Sequence, residues 1–213
     1  MKHFFKEIKI KNELKKYEKF KENFKFNQME IIKKGNSMFC DGVCIKESEN
    51  SEFLGESESF INVGYKFHGS LPKVLSNLFP YSFYFRGFKL NSIESFFQGI
   101  KFKDKKAQRE VFKLSGLPSS NIKCAQDYNW KIDKKLYFMG KPFSRESKEY
   151  QLLVDELYVS VLQNPLYVDA LKSVGQKYIL HAMGETDVNE TVFTRYEFEK
   201  QLNCLKEYCI LYK

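Results

Sequence analysis

The sequence has 213 residues, a length that fits one domain with an added segment. Hydrophobic residues make up 43% of the chain and aromatic residues 16%, so it can bury a core, which excludes a wholly disordered protein. No run approaches the roughly 20 apolar residues that a membrane helix needs, which excludes a protein with a membrane-spanning helix. The formal net charge of +8 is concentrated at one end, because residues 1–34 hold eleven Lys against five Glu.

The N-terminus and the cysteines indicate a reducing compartment. The first residues are charged and lack the apolar run of a signal peptide, so we expect a cytoplasmic protein without a membrane partner. The five Cys are an odd number, which is typical of free thiols. Cys40 and Cys44 form an isolated C-x3-C with no second ligand pair nearby, so we expect neither a zinc site nor another metal site.

The first predicted element is a basic helix. Ile10, Leu14, Tyr17 and Phe24 recur at helical spacing and are surrounded by lysines, which predicts an amphipathic helix. Such a helix could be an arm that seeks the phosphates of nucleic acid or of a membrane surface. It could equally dock on the protein with its lysines in solvent, and the interspersed glutamates favour this second interpretation.

A Ser- and Glu-rich stretch at residues 47–58 predicts a linker or an exposed loop. We therefore predict an N-terminal segment over residues 1–59 and a main domain over residues 60–213. Residues 60–65 read as a strand, and aromatic residues alternate on either side of Arg86-Gly87, which predicts a hairpin.

The rest of the chain is predicted to be mainly helical. A helix begins near Ile93 with Asn91 or Ser92 as its cap, and an apolar stripe predicts another over residues 150–161. A short helix follows at Asn164-Pro165, and a capping box at residues 194–197 opens a final helix. The predicted fold class is α+β, mostly helical, with a small sheet or hairpin in its first half and a basic helical extension at the N-terminus.

Three polar residues share one face of the helix that begins near Ile93. Glu94, Gln98 and Lys101 stand at i, i+4 and i+7, so they form a row, here called the polar row. The row could hold a sugar phosphate beside one reactive carboxylate, and the helix dipole favours the ionised form of a first-turn Glu. An ionised carboxylate suits a base that activates water, or an anion facing a cationic sugar transition state. Pattern alone, however, favours a solvated side-chain ladder.

Two further side chains carry open alternatives. His181 follows an apolar run and could be an acid, a sugar ligand or a packed histidine. Trp130 is the single Trp of the chain; it could stack on a leaving base, or anchor a core or a lid.

Two linked motifs resemble the NADAR family. S-N-L-F-P at residues 76–80 is similar to its S-N-F-Y/F-P opening, and S-I-E-S-F-F-Q-G-I-K-F at residues 92–102 is similar to its S-x-E-h-x-F-Q-x-x-K-F signature. The stretch from residue 162 to Gly175 resembles the family's N-P-containing segment. The resemblance covers roughly residues 60–208.

The resemblance implies hydrolysis of a bond between a ribose carbon and a nitrogen, without a metal or cofactor. It implies that Glu94 is catalytic and that Asn77, Phe79, Gln98 and Lys101 shape the pocket. One subgroup of the family acts on ribosylaminopyrimidine phosphates of early riboflavin biosynthesis. Another removes ADP-ribose from guanine bases of DNA, as the antitoxin to an ADP-ribosyltransferase toxin.

One departure from the family pattern bears on the substrate. Many members end their core with an acidic residue, a short gap and W-G-x-G, whereas residues 180–191 contain no Trp. We therefore expect a divergent branch that acts on an ADP-ribosylated base, with DNA as a possible partner and Lys101 and Lys141 near the phosphate. The alternatives are a riboflavin-type glycosidase and a non-catalytic module that binds NAD or ADP-ribose.

Overall fold

The computed structural model describes residues 2–67, 69–115 and 130–213. The chain divides into two compact units. The first combines Met1–Glu22 with Asn77–Pro165, and the second combines Asn23–Ser76 with Leu166–Lys213. The domain boundary predicted between residues 59 and 60 stays a prediction.

The described residues form helices and short strands. The helices are α1 (Lys2–Asn23), α2 (Ser70–Val74), α3 (Ile93–Gly99), α4 (Lys105–Phe112), α5 (Trp130–Asp133), α6 (Lys148–Val161), α7 (Pro165–Ser173) and α8 (Arg195–Tyr212). The strands are β1 (Ile31–Lys34), β2 (Ser37–Cys40), β3 (Val43–Lys46), β4 (Phe60–Asn62), β5 (Phe83–Phe85), β6 (Phe88–Leu90), β7 (Lys135–Phe138), β8 (Lys141–Ser144) and β9 (Tyr178–Leu180). Within these ranges no helix has the length and apolar content to cross a bilayer.

The strands pair into small separate sheets. β1, β2 and β3 form an antiparallel sheet, while β5 pairs with β6 and β7 with β8 as antiparallel hairpins. β4 pairs in parallel with β9, with Phe60 opposite Tyr178 and Asn62 opposite Leu180. The α+β, mostly helical fold class is thus confirmed.

The sequence analysis did not predict several of the strands. The second half of the chain was expected to be helical, yet it contributes β7, β8 and β9, and the sheet of β1 to β3 was not predicted at all. These strands have three or four residues each, which is too few for an alternating pattern to stand out from a loop.

The predicted hairpin is confirmed, and a surface ion pair braces its turn. Arg86 and Gly87 both have positive φ, at 46° and 82°, as a two-residue turn that matches the strand twist requires. Arg86 donates to Glu156 Oε2 of α6 through Nε at 3.0 Å and through Nη2 at 2.6 Å. The turn therefore holds β5 and β6 against α6 within the first unit.

The basic helix α1 belongs to the first unit. Tyr17 is fully buried and Ile10 is buried, while Lys15 and Lys16 are exposed. Lys21 near the end of the helix forms an ion pair with Asp155 of α6. These contacts favour the docking interpretation of the helix, with part of its basic face left in solvent.

The second unit is built around the parallel pair β4 and β9. Its apolar cluster joins these strands to the β1–β3 sheet through Cys40, Ile45, Phe60, Leu180 and Ala182. The sheet of β1 to β3 therefore packs into the core of the unit, although the sequence predicted only an N-terminal segment there.

Candidate active site

The first turn of α3 positions Glu94 beside Asn77. Ser92 caps the helix, its Oγ accepting from the Ser95 N–H at 3.1 Å. The backbone N–H of Glu94, which lacks an intrahelical acceptor, donates to the Asn77 carbonyl at 2.9 Å. The two linked sequence motifs therefore meet at Asn77 and Glu94.

The far end of α3 is fixed by close packing and by a buried amide. A Cβ on Gly99 would come within 2.4 Å of the Phe112 ring, so a larger residue would push α3 away from α4. Gln108 of α4 is fully buried and donates to the carbonyls of Gly99 at 2.9 Å and Tyr137 at 2.8 Å. The helix that carries Glu94 and Gln98 is therefore held at both ends, and Lys101 lies in the turn just after it.

The polar row is a directed chain of hydrogen bonds. Lys101 Nζ donates to Gln98 Oε1 at 2.8 Å, and Gln98 Nε2 donates to Glu94 Oε1 at 2.6 Å. Because a lysine ammonium can only donate, Gln98 must present its oxygen to Lys101 and its NH₂ to Glu94. Among the described residues, Glu94 Oε2 has no hydrogen-bond partner.

The exposure of the row argues against a purely solvated ladder. Glu94, Gln98 and Lys101 are all half-buried, whereas a surface ladder has exposed side chains. An amide donor on Oε1 stabilises the charged carboxylate, and the second oxygen stays available to a ligand. This arrangement can accept a proton from water or face a developing positive charge.

Tyr158 of α6 adds a residue that the sequence did not single out. It is fully buried, and its hydroxyl donates to Asn77 Oδ1 at 2.7 Å. Burial raises the pKa of Tyr158 well above its ordinary value, and the nearby Glu94 charge adds to this rise. The only signal in the sequence was a tyrosine in the apolar stripe of α6, since a buried phenol usually needs a partner.

The other candidates of the first unit lie in different settings. Phe79 is half-buried, with its ring 4.8 Å from that of Tyr81. Trp130 is only 6% exposed, which fits a core residue better than a ligand platform. Lys141 is exposed on β8, where its Nζ lies 3.1 Å from Glu149 Oε1. The roles predicted for these residues stay predictions.

His181 belongs to the second unit, where its side chain contacts Val63, Phe198 and Gly184. Its Nδ1 lies 2.9 Å from the Val63 carbonyl, and its ring packs on Phe198 with centroids 4.6 Å apart. Gly184 approaches so closely that a Cβ there would lie 2.6 Å from His181 Cδ2. Burial lowers the pKa of His181, so the imidazole is neutral near pH 7 and poorly suited to act as a general acid.

Glu199 organises the surroundings of His181. It is fully buried, and its carboxylate accepts from four donors, which are Arg195 Nε at 2.7 Å, Tyr178 Oη at 2.9 Å, Gln28 Nε2 at 2.9 Å and the His181 N–H at 2.8 Å. Both oxygens are occupied, so this carboxylate serves the structure of the second unit. Sequence reasoning missed it because three of the four donors, Gln28, Tyr178 and His181, come from stretches of the chain far from α8.

The described part of the chain contains no cluster of three or more His, Cys, Asp or Glu that could hold a metal ion. Cys40, Cys44, Cys204 and Cys209 are free thiols, and all but Cys44 are buried. Cys124 and His68 lie outside the described residues.

Comparisons with known proteins place the candidate site inside a shared region. Residues 70–207 match the model of a family described as bacteriophage protein GP30.3. A 17.1 kDa protein from the Gp30–rIII intergenic region of Enterobacteria phage T4 is 32% identical over 136 residues, which cover 62% of this chain and 88% of the relative. The NMR structure of the E. coli protein YbiA matches with a TM-score of 0.48 and 15% identity, over 73% of this chain and 88% of that one. The matched family region includes Asn77, the polar row and His181, whereas α1 and the β1–β3 sheet precede it.

Proposed function

The chain belongs to the family of bacteriophage protein GP30.3, a family of the NADAR type, and from this premise we propose that it is an N-glycosidase that hydrolyses the bond between ribose C1′ and a nitrogen. The family relationship supports a glycosidase-family kind of function. The resemblance carried by the two linked motifs is thereby confirmed for the family.

The observation that carries the proposal is the state of the Glu94 carboxylate. Oε1 is held by Gln98, while Oε2 is left without a partner among the described residues, and the side chain is half-buried. A fixed anion in such a site interacts more strongly with developing positive charge than an anion in water does. Glycosidic bond cleavage develops this charge on the sugar ring.

The proposed reaction uses this carboxylate and one water molecule. As the C1′–N bond breaks, its electron pair leaves with the nitrogen, and the carboxylate of Glu94 stabilises the cationic sugar. Water then forms the new bond to C1′ and gives a proton to Glu94 Oε2. That proton finally passes to the departing nitrogen, so the products are the free sugar and the free base or amine.

We further propose that the substrate is an ADP-ribosylated base. The stretch at residues 180–191 lacks the W-G-x-G of many family members, which supports a remodelled pocket. The exposed lysines of α1, such as Lys15 and Lys16, supply positive charge suited to the phosphates of DNA. A ribosylaminopyrimidine phosphate is the alternative substrate.

The test is incubation of the full chain with three compounds, namely DNA carrying ADP-ribosyl-guanine, a ribosylaminopyrimidine phosphate and NAD, followed by measurement of released base or amine. We expect release from the DNA adduct to be fastest. Faster release from the pyrimidine compound would move the assignment to the riboflavin-type reaction. Binding of ADP-ribose without release from any compound would support a non-catalytic module instead.

Salt concentration adds a second criterion. Contacts between lysines and DNA phosphates weaken as counterions compete, so hydrolysis of the DNA adduct should slow between low and physiological salt. Activity on a small ribosyl compound should stay nearly constant over the same range. A DNA reaction that is indifferent to salt would contradict a role for the basic face of α1.

A further inference from the structure

Asn77 has two acceptor groups that are both engaged. Its backbone carbonyl accepts from the Glu94 N–H at 2.9 Å, and its side-chain Oδ1 accepts from the Tyr158 hydroxyl at 2.7 Å. The other polar group of its side chain is the NH₂, which has no hydrogen-bond partner among the described residues. Asn77 is half-buried, so this donor remains within reach of a ligand.

Tyr158 is suited to hold the amide in one orientation. The residue has no exposed surface, so its hydroxyl cannot turn to solvent, and burial keeps it protonated as a donor. An amide whose oxygen accepts this bond must direct its NH₂ the other way. In the opposite orientation Nδ2 would donate to the phenol oxygen, and Oδ1, an acceptor, would face the ligand side.

The backbone N–H of Glu94 contacts the Asn77 carbonyl at 2.9 Å, and the Glu94 charge contributes to the raised pKa of Tyr158, so the Asn77 amide and the Glu94 carboxylate share one neighbourhood. A phosphate placed there would be repelled by the carboxylate, whereas a neutral sugar hydroxyl would not. The 2′-hydroxyl is the sugar hydroxyl next to C1′, and hydrogen bonds to this group strengthen in glycosidic transition states.

We propose that Tyr158 is a positioning residue that fixes the Asn77 amide, so that Nδ2 donates to the 2′-hydroxyl oxygen of a ribosyl substrate beside Glu94. The proposal rests on the glycosidase function proposed above. It extends that function by naming a residue outside the two motifs and by requiring a ribosyl rather than a 2′-deoxyribosyl group.

The test is a double-mutant cycle in the full chain with Tyr158→Phe, Asn77→Ala and the double variant. The readout is kcat/KM on the compound that the wild type cleaves best, together with the melting temperature. Tyr158→Phe should lower kcat/KM by about tenfold, the scale of one lost hydrogen bond. In the Asn77→Ala background the same change should alter kcat/KM less than about twofold, because residues that act through one contact are not additive. Equal losses in both backgrounds, or no loss in either, would overturn the proposal.

A matched control and a substrate analogue separate positioning from general stability. Tyr167→Phe also removes the hydroxyl of a fully buried tyrosine, in α7, and should leave kcat/KM unchanged. On a 2′-deoxyribosyl analogue, Tyr158→Phe should cost less than about twofold, because the acceptor of the Asn77 amide is gone. A full tenfold loss on that analogue would contradict the assigned hydroxyl.

A spectroscopic readout distinguishes failure of this proposal from failure of the glycosidase function. If the wild type cleaves none of the compounds, the glycosidase function fails, and NMR of the Asn77 side-chain amide still tests the contact. The amide signals are assigned by their loss in Asn77→Ala. Tyr158→Phe should shift them and Tyr167→Phe should not. Unshifted signals in Tyr158→Phe would overturn the positioning role.

Discussion

Glu94 and Glu199 are two helical carboxylates in opposite situations. Glu199, in the second unit, is fully buried and receives hydrogen bonds from four donors, including the guanidinium of Arg195. Glu94, in the first unit, is half-buried, and within residues 2–67, 69–115 and 130–213 its carboxylate receives one hydrogen bond, from Gln98. The more deeply buried carboxylate, that of Glu199, is therefore the one whose two oxygens already accept hydrogen bonds from the protein.

The difference shows that burial alone does not mark a reactive carboxylate. A buried anion with all its lone pairs satisfied holds chain segments together and has nothing left for a substrate. A carboxylate with one oxygen held and the other open keeps its orientation and can still act on a ligand. Substitutions at the two glutamates should therefore separate stability from turnover.

The largest effect is expected for Glu199→Ala. The change leaves the Arg195 guanidinium buried without its carboxylate, which should lower the free energy of unfolding by about 3–5 kcal/mol. Urea denaturation followed by circular dichroism measures it. Glu110→Ala in α4 is the control, because both side chains of its pair with Lys113 are exposed and the pair should contribute less than about 1 kcal/mol. Equal losses for the two variants would refute the structural role of Glu199.

Glu94→Gln should have the converse effect. An amide is nearly isosteric, so the melting temperature should hold, while turnover should fall by about 100-fold, the scale of one lost electrostatic stabiliser. The comparison needs steady-state rates and thermal melts of the same preparations. Glu110→Gln, at an exposed position of α4, is the control and should change neither quantity. A Glu94→Gln protein with the wild-type rate would remove Glu94 from the catalytic role.

Gln98 should show a smaller effect that depends on the substituted group. Gln98→Leu removes the donor to Glu94 Oε1 and should lower turnover by about tenfold, within the range for one hydrogen bond to a charged group. Gln98→Glu should cost more than Gln98→Leu, since it places a like charge four residues from Glu94. Steady-state rates of both variants test this order, and the reverse order would show that Gln98 does not act through Glu94.

Lys141→Ala should have the smallest effect. The exposed pair with Glu149 should change the free energy of unfolding by less than about 1 kcal/mol. If Lys141 meets a substrate phosphate, KM should rise a few-fold for a phosphorylated substrate, with kcat unchanged. An unchanged KM would leave the side chain as surface charge alone.

The sequence by itself determined the local part of the candidate site. Side chains at i and i+4 must share a helix face, so the pairing of Glu94 with Gln98 followed from spacing alone. Lys101, predicted on the same helix, instead lies in the turn that follows the end of α3 at Gly99, and it reaches Gln98 from there. The Ser92 cap, the Arg86-Gly87 turn and the capping box at Thr194 were also readable, because each depends on residues close together in the chain.

The tertiary structure alone decided which distant groups complete each carboxylate. Tyr158 reaches Asn77 across 81 positions, and Gln28 reaches Glu199 across 171. The parallel pairing of β4 with β9 likewise joins residues more than a hundred positions apart, through strands of three residues each. No local periodicity encodes such contacts, because they arise only when packing brings the separate segments together. The sequence could therefore place Glu94 on a helix face. Only the tertiary structure decided that Glu94 keeps a carboxylate oxygen available to a ligand, whereas both oxygens of Glu199 accept hydrogen bonds from the protein.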